Sequence, residues 1–182
     1  MVELVSYWKI TCAPHVTVKN IYLSQKQIDW WKKLYFYGLG EFFYKNNIKT
    51  NIDEFMNITA GTNKLLKSEI NISDEFTGAL VPIGGGKDSI VTLNVIKDDF
   101  ANNMCYVINP RGATEETAET AGYGENKRCY VKRTLDKNML ELNKQGYLNG
   151  HTPFSSIVAF SALIVAYLNK KKYIVLSNEA SA

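Results

Sequence analysis

The residues best suited to chemistry are three consecutive glycines followed by lysine, aspartate and serine, at positions 84–89. Consecutive glycines can adopt positive φ and let a ligand approach the backbone, so their N–H groups can form a concave anion site. Asp88 and Ser89 favour the first turn of a helix, whose partly positive N-terminus would face the same anion. Lys87 adds a full positive charge. The pattern predicts a phosphate-binding loop; the alternative is a glycine turn that binds no ligand.

The spacing of these residues excludes two common nucleotide-binding loops. A Walker A loop needs a glycine five residues before Gly86 and a Ser or Thr after Lys87, but Val81 and Asp88 occupy those positions. A dinucleotide-binding fingerprint needs a third glycine three residues after Gly86, where Ser89 stands. The predicted loop therefore belongs to neither class.

Composition and charge limit the classes of function. The 182 residues are 46% hydrophobic, enough for one α/β core with or without a small module. The net charge of +3 comes from 21 basic and 18 acidic residues spread along the chain, which does not indicate a nucleic-acid partner. Three cysteines without a CxxC pair argue against a disulfide framework or a zinc site and for a reducing compartment such as the cytoplasm.

Neither the N-terminus nor the most apolar segment predicts a membrane or secretory signal. The first residues include an early acid and lack the sustained apolar run of a signal peptide. The longest apolar segment, residues 153–168, is shorter than the roughly 18 to 20 residues that span a bilayer. We therefore expect no membrane insertion, and we expect this segment to be buried within the protein.

The first 76 residues predict an aromatic-rich α+β module. Alternating apolar residues predict short strands within residues 2–23, and residues 24–27 match a capping box that begins a long helix. Apolar and aromatic residues recur every three or four positions along that helix, which predicts a core face; a stacking surface for a base or sugar is the alternative. Gly38 and Gly40 would kink the helix or allow a close approach, and residues 51–71 predict one or two short helices.

Residues 77–182 predict a second, α/β domain. Strands alternate with helices here, which is typical of a parallel sheet with helices on both faces. The predicted strands are residues 79–83, 104–108, 129–131 and 173–176. The predicted helices are residues 88–97, 114–121, 136–146 and 153–168, the last apolar on nearly all sides. Because no helix follows the last strand, we expect this domain to continue beyond Ala182.

Polar residues follow two of the predicted strands, at the edge where open parallel sheets bind ligands. Asn109 follows the second strand and is predicted to contact a nucleotide, while Arg111 fits a nucleotide contact or a solvated loop residue equally well. Asn178 and Glu179 follow the last strand, and their side chains can bind a ribose, a substrate carboxylate or magnesium.

His151 is the other candidate for chemistry. Thr152 and Pro153 after it are typical of an N-cap and a first helical residue, so His151 would lie just ahead of a helix N-terminus. A histidine in such a loop is a candidate for acid/base catalysis, and a structural role is the alternative.

Three segments together resemble the UDP-N-acetylmuramoyl-L-alanyl-L-glutamate epimerase family of bacteria, within the N-type ATP pyrophosphatase (PP-loop) superfamily. The segments are VPIGGGKDS at residues 81–89, NGHTPFS at 149–155 and LSNEASA at 176–182. The superfamily loop is Ser-Gly-Gly-x-Asp-Ser, and Gly84 stands where most members have its first serine. The resemblance implies an adenine nucleotide alpha hydrolase-like fold. It also implies an ATP- and magnesium-dependent inversion of the terminal L-glutamate of the muramoyl dipeptide precursor, with release of AMP and pyrophosphate.

The predicted site has three parts. Cofactor-binding residues for ATP are Gly84, Gly85, Gly86, Lys87, Asp88, Ser89, Asn109 and Asn178. Magnesium would be bound by Asp88 and Glu179, and the catalytic bases would be His151 first and Glu179 second. We expect replacement of Gly85 by Val to abolish ATP binding without unfolding the chain, because it blocks positive φ and the approach of the ligand.

The chemistry explains the need for ATP. An α-hydrogen beside a carboxylate is too weakly acidic to remove, whereas the carbonyl of an acyl-adenylate can delocalise the carbanion. Two other functions remain open: another adenylating enzyme, such as an amide ligase or a tRNA-modifying enzyme, and a non-catalytic nucleotide-binding module. A thiolating enzyme would favour a nucleophilic cysteine near the site, but the cysteines here are scattered.

Overall fold

The computed structural model describes residues 1–19, 21–61 and 75–177. The chain divides into two compact units, Met1–Ile70 with Leu135–Ile157, and Asn71–Thr134 with Val158–Ala182. The predicted division was 1–76 and 77–182, so the structure differs in placing residues 135–157 with the first unit. Two contacts explain why residues 135–157 belong to the first unit. Leu148 packs against the core of that unit, and the amide of Asn46 donates a hydrogen bond to the Asn149 carbonyl (3.1 Å).

The first unit contains short elements around an aromatic core. They are α1 (Leu4–Trp8), β1 (His15–Val18), α2 (Gln25–Gly38), α3 (Gly40–Lys45), β2 (Asn57–Ala60) and α6 (Lys137–Lys144). β1 and β2 pair in parallel, with His15 opposite Asn57. The strand prediction was wrong for α1, where Val5 and Trp8 are both buried at helical spacing. The helix prediction for residues 51–71 was wrong at β2, and residues 62–71 lie outside the described part of the chain.

The predicted start of the long helix is confirmed, but the structure has two helices, α2 and α3, in place of one. The capping box forms: the Gln27 N–H donates to the Ser24 hydroxyl (3.3 Å), and the Ser24 N–H donates to the Gln27 side chain (2.9 Å). Leu39 separates α2 from α3. The core interpretation of the aromatic face is confirmed, since Tyr35 and Phe42 are fully buried.

The second unit is a parallel sheet covered on both faces, as predicted. Its strands are β3 (Ala79–Pro82), β4 (Met104–Ile108), β5 (Arg128–Val131) and β6 (Tyr173–Ile174), in the order β5-β4-β3-β6. The helices are α4 (Lys87–Val95), α5 (Gly112–Thr120) and most of α7 (Phe154–Leu168), with short 3₁₀ turns at Lys97–Asp99 and Glu125–Lys127. Val81 packs on the face of Leu93 and Ala118, and Leu80 packs on the face of Ala162 in α7.

Two features of the second unit differ from prediction. β6 has two residues instead of four. The buried face of α7 is as expected, but an outer face with Leu163, Ile164, Tyr167 and Leu168 is more than half exposed. Within the described ranges, no helix is long and apolar enough to cross a membrane.

Candidate functional site

Residues 84–89, hereafter the glycine loop, form the turn between β3 and α4. Gly84 and Gly86 are exposed, and a Cβ built on either one meets no heavy atom within 4 Å. The space in front of both residues is therefore open, as binding of a phosphate requires. Gly86 is the N-cap of α4, so the N–H groups of the first helical turn lie beside this space; that of Ser89 donates to the Gly86 carbonyl (3.1 Å). The geometry fits the predicted anion, and occupancy of the site by ATP stays a prediction.

Gly85 has a packing role that the sequence did not reveal. Its φ is +85°, and a Cβ there would lie 2.9 Å from the carbonyl carbon of Ala113 and 3.0 Å from the nitrogen of Thr114. Both residues belong to the first turn of α5, so the N-termini of α4 and α5 lie together at this loop. The expectation that Gly85→Val leaves the fold intact is therefore wrong, because the valine would displace α5.

The Ser89 side chain joins the two ends of the glycine loop by a hydrogen bond. Its side chain is buried, and its hydroxyl accepts a hydrogen bond from the Gly84 N–H (3.2 Å). A hydroxyl that accepts one bond still has its own proton to donate, so Ser89 can hold the loop and a ligand oxygen together. Lys87 is exposed and Asp88 is half-buried, both in the first turn of α4.

The glycine loop lies at the topological switch point of the sheet. From β3 the chain moves to β4 and β5 on one side, and β6 then pairs with β3 on the other side. Open α/β sheets bind ligands at this point, outside the carboxyl ends of the strands. The hydroxyls of Thr92 in α4 and Ser177 after β6 are 2.8 Å apart, which holds the end of β6 against the helix that the loop begins. Asn178 and Glu179 follow directly but lie outside the described residues.

Asn109 and Arg111 lie beyond the carboxyl end of β4. The Asn109 amide donates to the Arg133 carbonyl (2.9 Å) and accepts from the Arg133 N–H (2.8 Å). These bonds join the ends of β4 and β5, so Asn109 has a structural role, and a nucleotide contact would require one of them to open. Arg111 is the exposed N-cap of α5, where its N–H donates to the Thr114 hydroxyl (3.0 Å).

His151 belongs to the first unit and lies in residues 149–153, hereafter the histidine loop. Its side chain is 56% exposed, and its Nδ1 lies 4.0 Å from Oε2 of Glu41. The hydrogen bond and charge of Lys45 hold the pKa of the Glu41 carboxyl below its usual range, and the charge of His151 contributes to the same effect. α7 begins at Phe154, one residue later than predicted. An exposed imidazole beside a carboxylate can accept and return a proton.

The backbone around His151 is held by residues far away in the sequence, and one of them is Gly38, where the expected close approach is made by Pro153. A Cβ on Gly38 would lie 2.6 Å from Cβ of Pro153, and one on Gly150 would lie 3.1 Å from the Phe42 ring. The buried ammonium of Lys9 donates to the Gly150 carbonyl. No local pattern could reveal these contacts, because they join residues more than a hundred positions apart.

Comparison with known proteins assigns a family. The sequence matches the MurL N-terminal domain over residues 1–182. The chain belongs to the MurL N-terminal domain family. It is also similar to curated proteins named UDP-N-acetyl-alpha-D-muramoyl-L-alanyl-L-glutamate epimerase. The identity is 29% for the protein of Salinispora tropica, 28% for that of Xanthomonas oryzae pv. oryzae and 30% for that of a Micromonospora strain, each over 178 residues.

The match with the three relatives covers this chain almost completely and the relatives only partly. The aligned residues are 98% of this chain but 37–38% of each of the three relatives. No solved structure gave a significant match. The similarity assigns the family, and it leaves the residues of the site to be argued from the geometry above.

The described residues of the chain contain no group of three or more His, Cys, Asp or Glu side chains arranged to hold a metal ion. Of the two predicted magnesium ligands, Asp88 is described and Glu179 is not. Mg²⁺ commonly binds one or two carboxylates together with phosphate oxygens and water. Asp88 in the glycine loop therefore fits a magnesium ion that is bound together with a nucleotide.

The thiols of the domain are poorly suited to nucleophilic catalysis. Burial raises the pKa of Cys12 and of Cys129, and it raises that of Cys105 to about 12 although the charge of Arg128 acts in the opposite direction. The thiolate is the nucleophilic form, so little of it is present near neutral pH. This weighs against the thiolating alternative.

Proposed function

We propose that this chain supplies the ATP-binding loop and a proton-transfer residue of a cytoplasmic enzyme that inverts the terminal L-glutamate of UDP-N-acetylmuramoyl-L-alanyl-L-glutamate. The observation that supports it most strongly is the open glycine loop at the switch point of a parallel sheet. That loop occurs in a chain similar to named epimerases over 98% of its length. Because the chain spans 37–38% of those relatives, the activity of the whole enzyme is part of the proposal.

ATP would act as a co-substrate that makes the α-proton removable. Proton loss beside a free carboxylate would place a second negative charge on an anion. In the proposed reaction a carboxylate oxygen attacks the α-phosphate, the bond to the β-phosphate breaks and pyrophosphate leaves. The acyl-adenylate carbonyl can then delocalise the charge that develops when the α-proton is removed, and later hydrolysis releases AMP and the product.

The glycine loop would hold the pyrophosphate. Backbone N–H groups of Gly85 and Gly86 and of the first turn of α4 would donate to phosphate oxygens, together with the Ser89 hydroxyl. Lys87 is exposed and would add a mobile positive charge. Asp88 would share a magnesium ion with the phosphates, which neutralises charge as the leaving group departs.

His151 would take the α-proton from one face, and a proton would then return to the opposite face. Its exposed ring on a firmly held backbone suits this role better than a structural one, since a structural histidine is usually buried and hydrogen-bonded. Glu41, 4.0 Å away, would stabilise the protonated ring. Where inversion uses two bases, Glu179 is the second candidate.

The experiment that tests nucleotide binding compares two glycines with open surroundings. Gly86→Val should weaken ATP binding by at least about 10-fold in titration calorimetry, because its side chain would fill the space meant for phosphate. Gly84→Ser restores the serine of the superfamily loop and should keep or improve affinity. Without nucleotide, Gly84→Ser should melt like the parent protein and Gly86→Val slightly below it, since neither Cβ meets a neighbour and valine is a poorer N-cap than glycine. Equal ATP affinity of parent and Gly86→Val would contradict the assignment of the loop.

A thermal-shift series then separates the epimerase from other adenylating enzymes. ATP or AMP alone should raise the melting temperature, and the muramoyl dipeptide precursor should raise it further, because each ligand that binds only the folded state stabilises it. No additional shift with the dipeptide precursor would favour a different substrate or a nucleotide-binding module.

A further inference from the structure

We propose that Lys9 is a positioning residue that fixes the backbone of His151, a role that rests on the proposed function of His151 as the acid/base group. Lys9 follows α1 and is only 7% exposed. Its ammonium donates a hydrogen bond to the carbonyl of Gly150. Lysines are almost never this buried unless they are paired, because removal of an ammonium from water is costly and the long side chain can usually reach solvent.

The carbonyl that Lys9 binds belongs to the peptide group that joins Gly150 to His151, so its orientation affects the position of the imidazole. The Gly150 carbonyl and the His151 N–H belong to the same peptide plane. Glycine has more backbone freedom than any other residue, so without an anchor this plane could rotate and carry the imidazole with it. The bond from Lys9 removes that freedom at the residue directly before His151.

Other contacts fix the loop on both sides of this plane. The Asn46 amide donates to the Asn149 carbonyl (3.1 Å) and to the Phe42 carbonyl (2.8 Å). Pro153 rests on Gly38, where no larger residue fits. The main chain is thereby held while the imidazole stays 56% exposed. This is the arrangement expected where a ring must be presented accurately to a substrate.

Lys9 differs from these neighbours in carrying a charge. A hydrogen bond from a charged donor is roughly twice as strong as one between neutral groups. We therefore expect loss of Lys9 to loosen the histidine loop more than loss of Asn46. The substitution Lys9→Met removes the ammonium and keeps most of the side-chain volume.

The first arm of the test is NMR of the imidazoles. His15 and His151 are the two histidines of the chain, so each ring signal can be assigned and His15 in β1 serves as an internal reference. Lys9→Met should shift the His151 ring signals towards those of a flexible peptide and leave those of His15 unchanged. Lys127→Met is the matched control, because the Lys127 ammonium also donates to backbone carbonyls, of Phe100 (2.9 Å) and Ala101 (2.8 Å), in the second unit. It should not affect His151.

The second arm measures exchange of the substrate α-proton in D₂O with ATP and the muramoyl dipeptide precursor, well below the melting temperature. Lys9→Met should lower kcat by about 10- to 100-fold, the cost of a catalytic group misplaced by about 1 Å, with KM for ATP unchanged. Lys9→Arg keeps the charge and should recover part of the rate. A lysine that served stability alone would lower the melting temperature and leave kcat of the folded protein unchanged.

The two arms separate this inference from the proposed function. Absence of exchange in the parent protein would set the epimerase proposal aside, and the NMR arm would still decide whether Lys9 fixes His151. Unchanged His151 signals in folded Lys9→Met would overturn the inference. If Lys9→Met does not fold, Lys9→Gln, which keeps an N–H donor without the charge, should show an intermediate shift, and an unchanged His151 signal there would equally overturn it.

Discussion

The glycine loop of the second unit is held by contacts within the loop and with α5, the next helix of the chain. The histidine loop of the first unit is held by residues more than a hundred positions away in the sequence. Gly85 packs against Ala113, and the Ser89 hydroxyl bonds the Gly84 N–H five residues earlier. The Gly150 carbonyl is bound by Lys9, 141 positions away, and the Asn149 carbonyl by Asn46, 103 positions away. One site is thus a local motif and the other is a tertiary assembly.

This difference indicates which substitutions should impair the function of each loop. The glycine loop offers mainly backbone N–H groups, so side-chain changes near it, other than at Lys87, Asp88 and Ser89, should spare binding unless they fill the open space or displace α5. The histidine loop offers one side chain on a backbone that distant residues hold. Its function should therefore depend on residues with no apparent link to catalysis, such as Gly38 and Lys9.

The largest effect is expected from a substitution in the histidine loop that stops proton transfer and leaves ATP binding intact. His151→Asn should cut exchange of the substrate α-proton in D₂O by about 10²- to 10⁴-fold, the usual scale for a positioned acid/base group. ATP affinity should stay within about 2-fold of the parent value, because His151 contributes no group to the proposed phosphate site. A stable His151→Asn protein with normal exchange would remove this residue from the mechanism and make Glu179 the residue to test.

Gly85→Val should give the next largest effect, on stability. The valine would be strained at a φ of +85° and would press on Ala113 and Thr114 at the start of α5. We expect the free energy of unfolding to fall by about 2–4 kcal/mol in urea titrations. Gly86→Val is the control and should lose no more than about 1 kcal/mol, the cost of a poorer N-cap. Equal stability of the two variants would mean that the packing of Gly85 on α5 contributes little.

Gly38→Ala should have a smaller effect and should lower stability, although a change from Gly to Ala in a helix usually raises it. Replacement of Gly by Ala within a helix normally stabilises by up to about 1 kcal/mol. Here the new methyl would lie 2.6 Å from Cβ of Pro153, so we expect a loss of about 1–3 kcal/mol in urea titrations. Gly40→Ala, two residues on, meets no atom within 4 Å and should be neutral or stabilising. A stabilised Gly38→Ala protein would show that the histidine loop is not seated tightly on α2.

The smallest effect concerns Glu41. Its pKa lies below the usual range, through Lys45 first and His151 also, so the contribution to stability exists above the unfolded-state pKa and is lost as pH falls through the folded-state pKa. Glu41→Gln should therefore melt slightly below the parent at neutral pH and together with it in acid. Because these groups are exposed, added salt should shrink the difference. A difference that persists in acid would point to a role of Glu41 other than its charge.

Much of the second unit could be predicted from the sequence, and less of the first. The strands that became β3, β4 and β5 were predicted to within a residue or so, because buried parallel strands appear as short apolar runs between turns. In the first unit α1 and β2 were assigned wrongly, since elements of four or five residues carry too little periodicity to separate helix from strand. The exposed face of α7 was missed because composition does not reveal which apolar residues find a partner.

The sequence by itself determined the position of the glycine loop, the parallel sheet in which the preceding strand lies and the candidacy of His151, since each depends on residue types within a few positions of one another. Tertiary structure alone decided that residues 135–157 join the first unit, that Gly85 supports α5 and that Asn109 ties two strands together. It also decided that Lys9 and Gly38 fix the histidine loop. The physical reason is that packing and buried hydrogen bonds join residues according to their distance in space, which local sequence patterns do not encode.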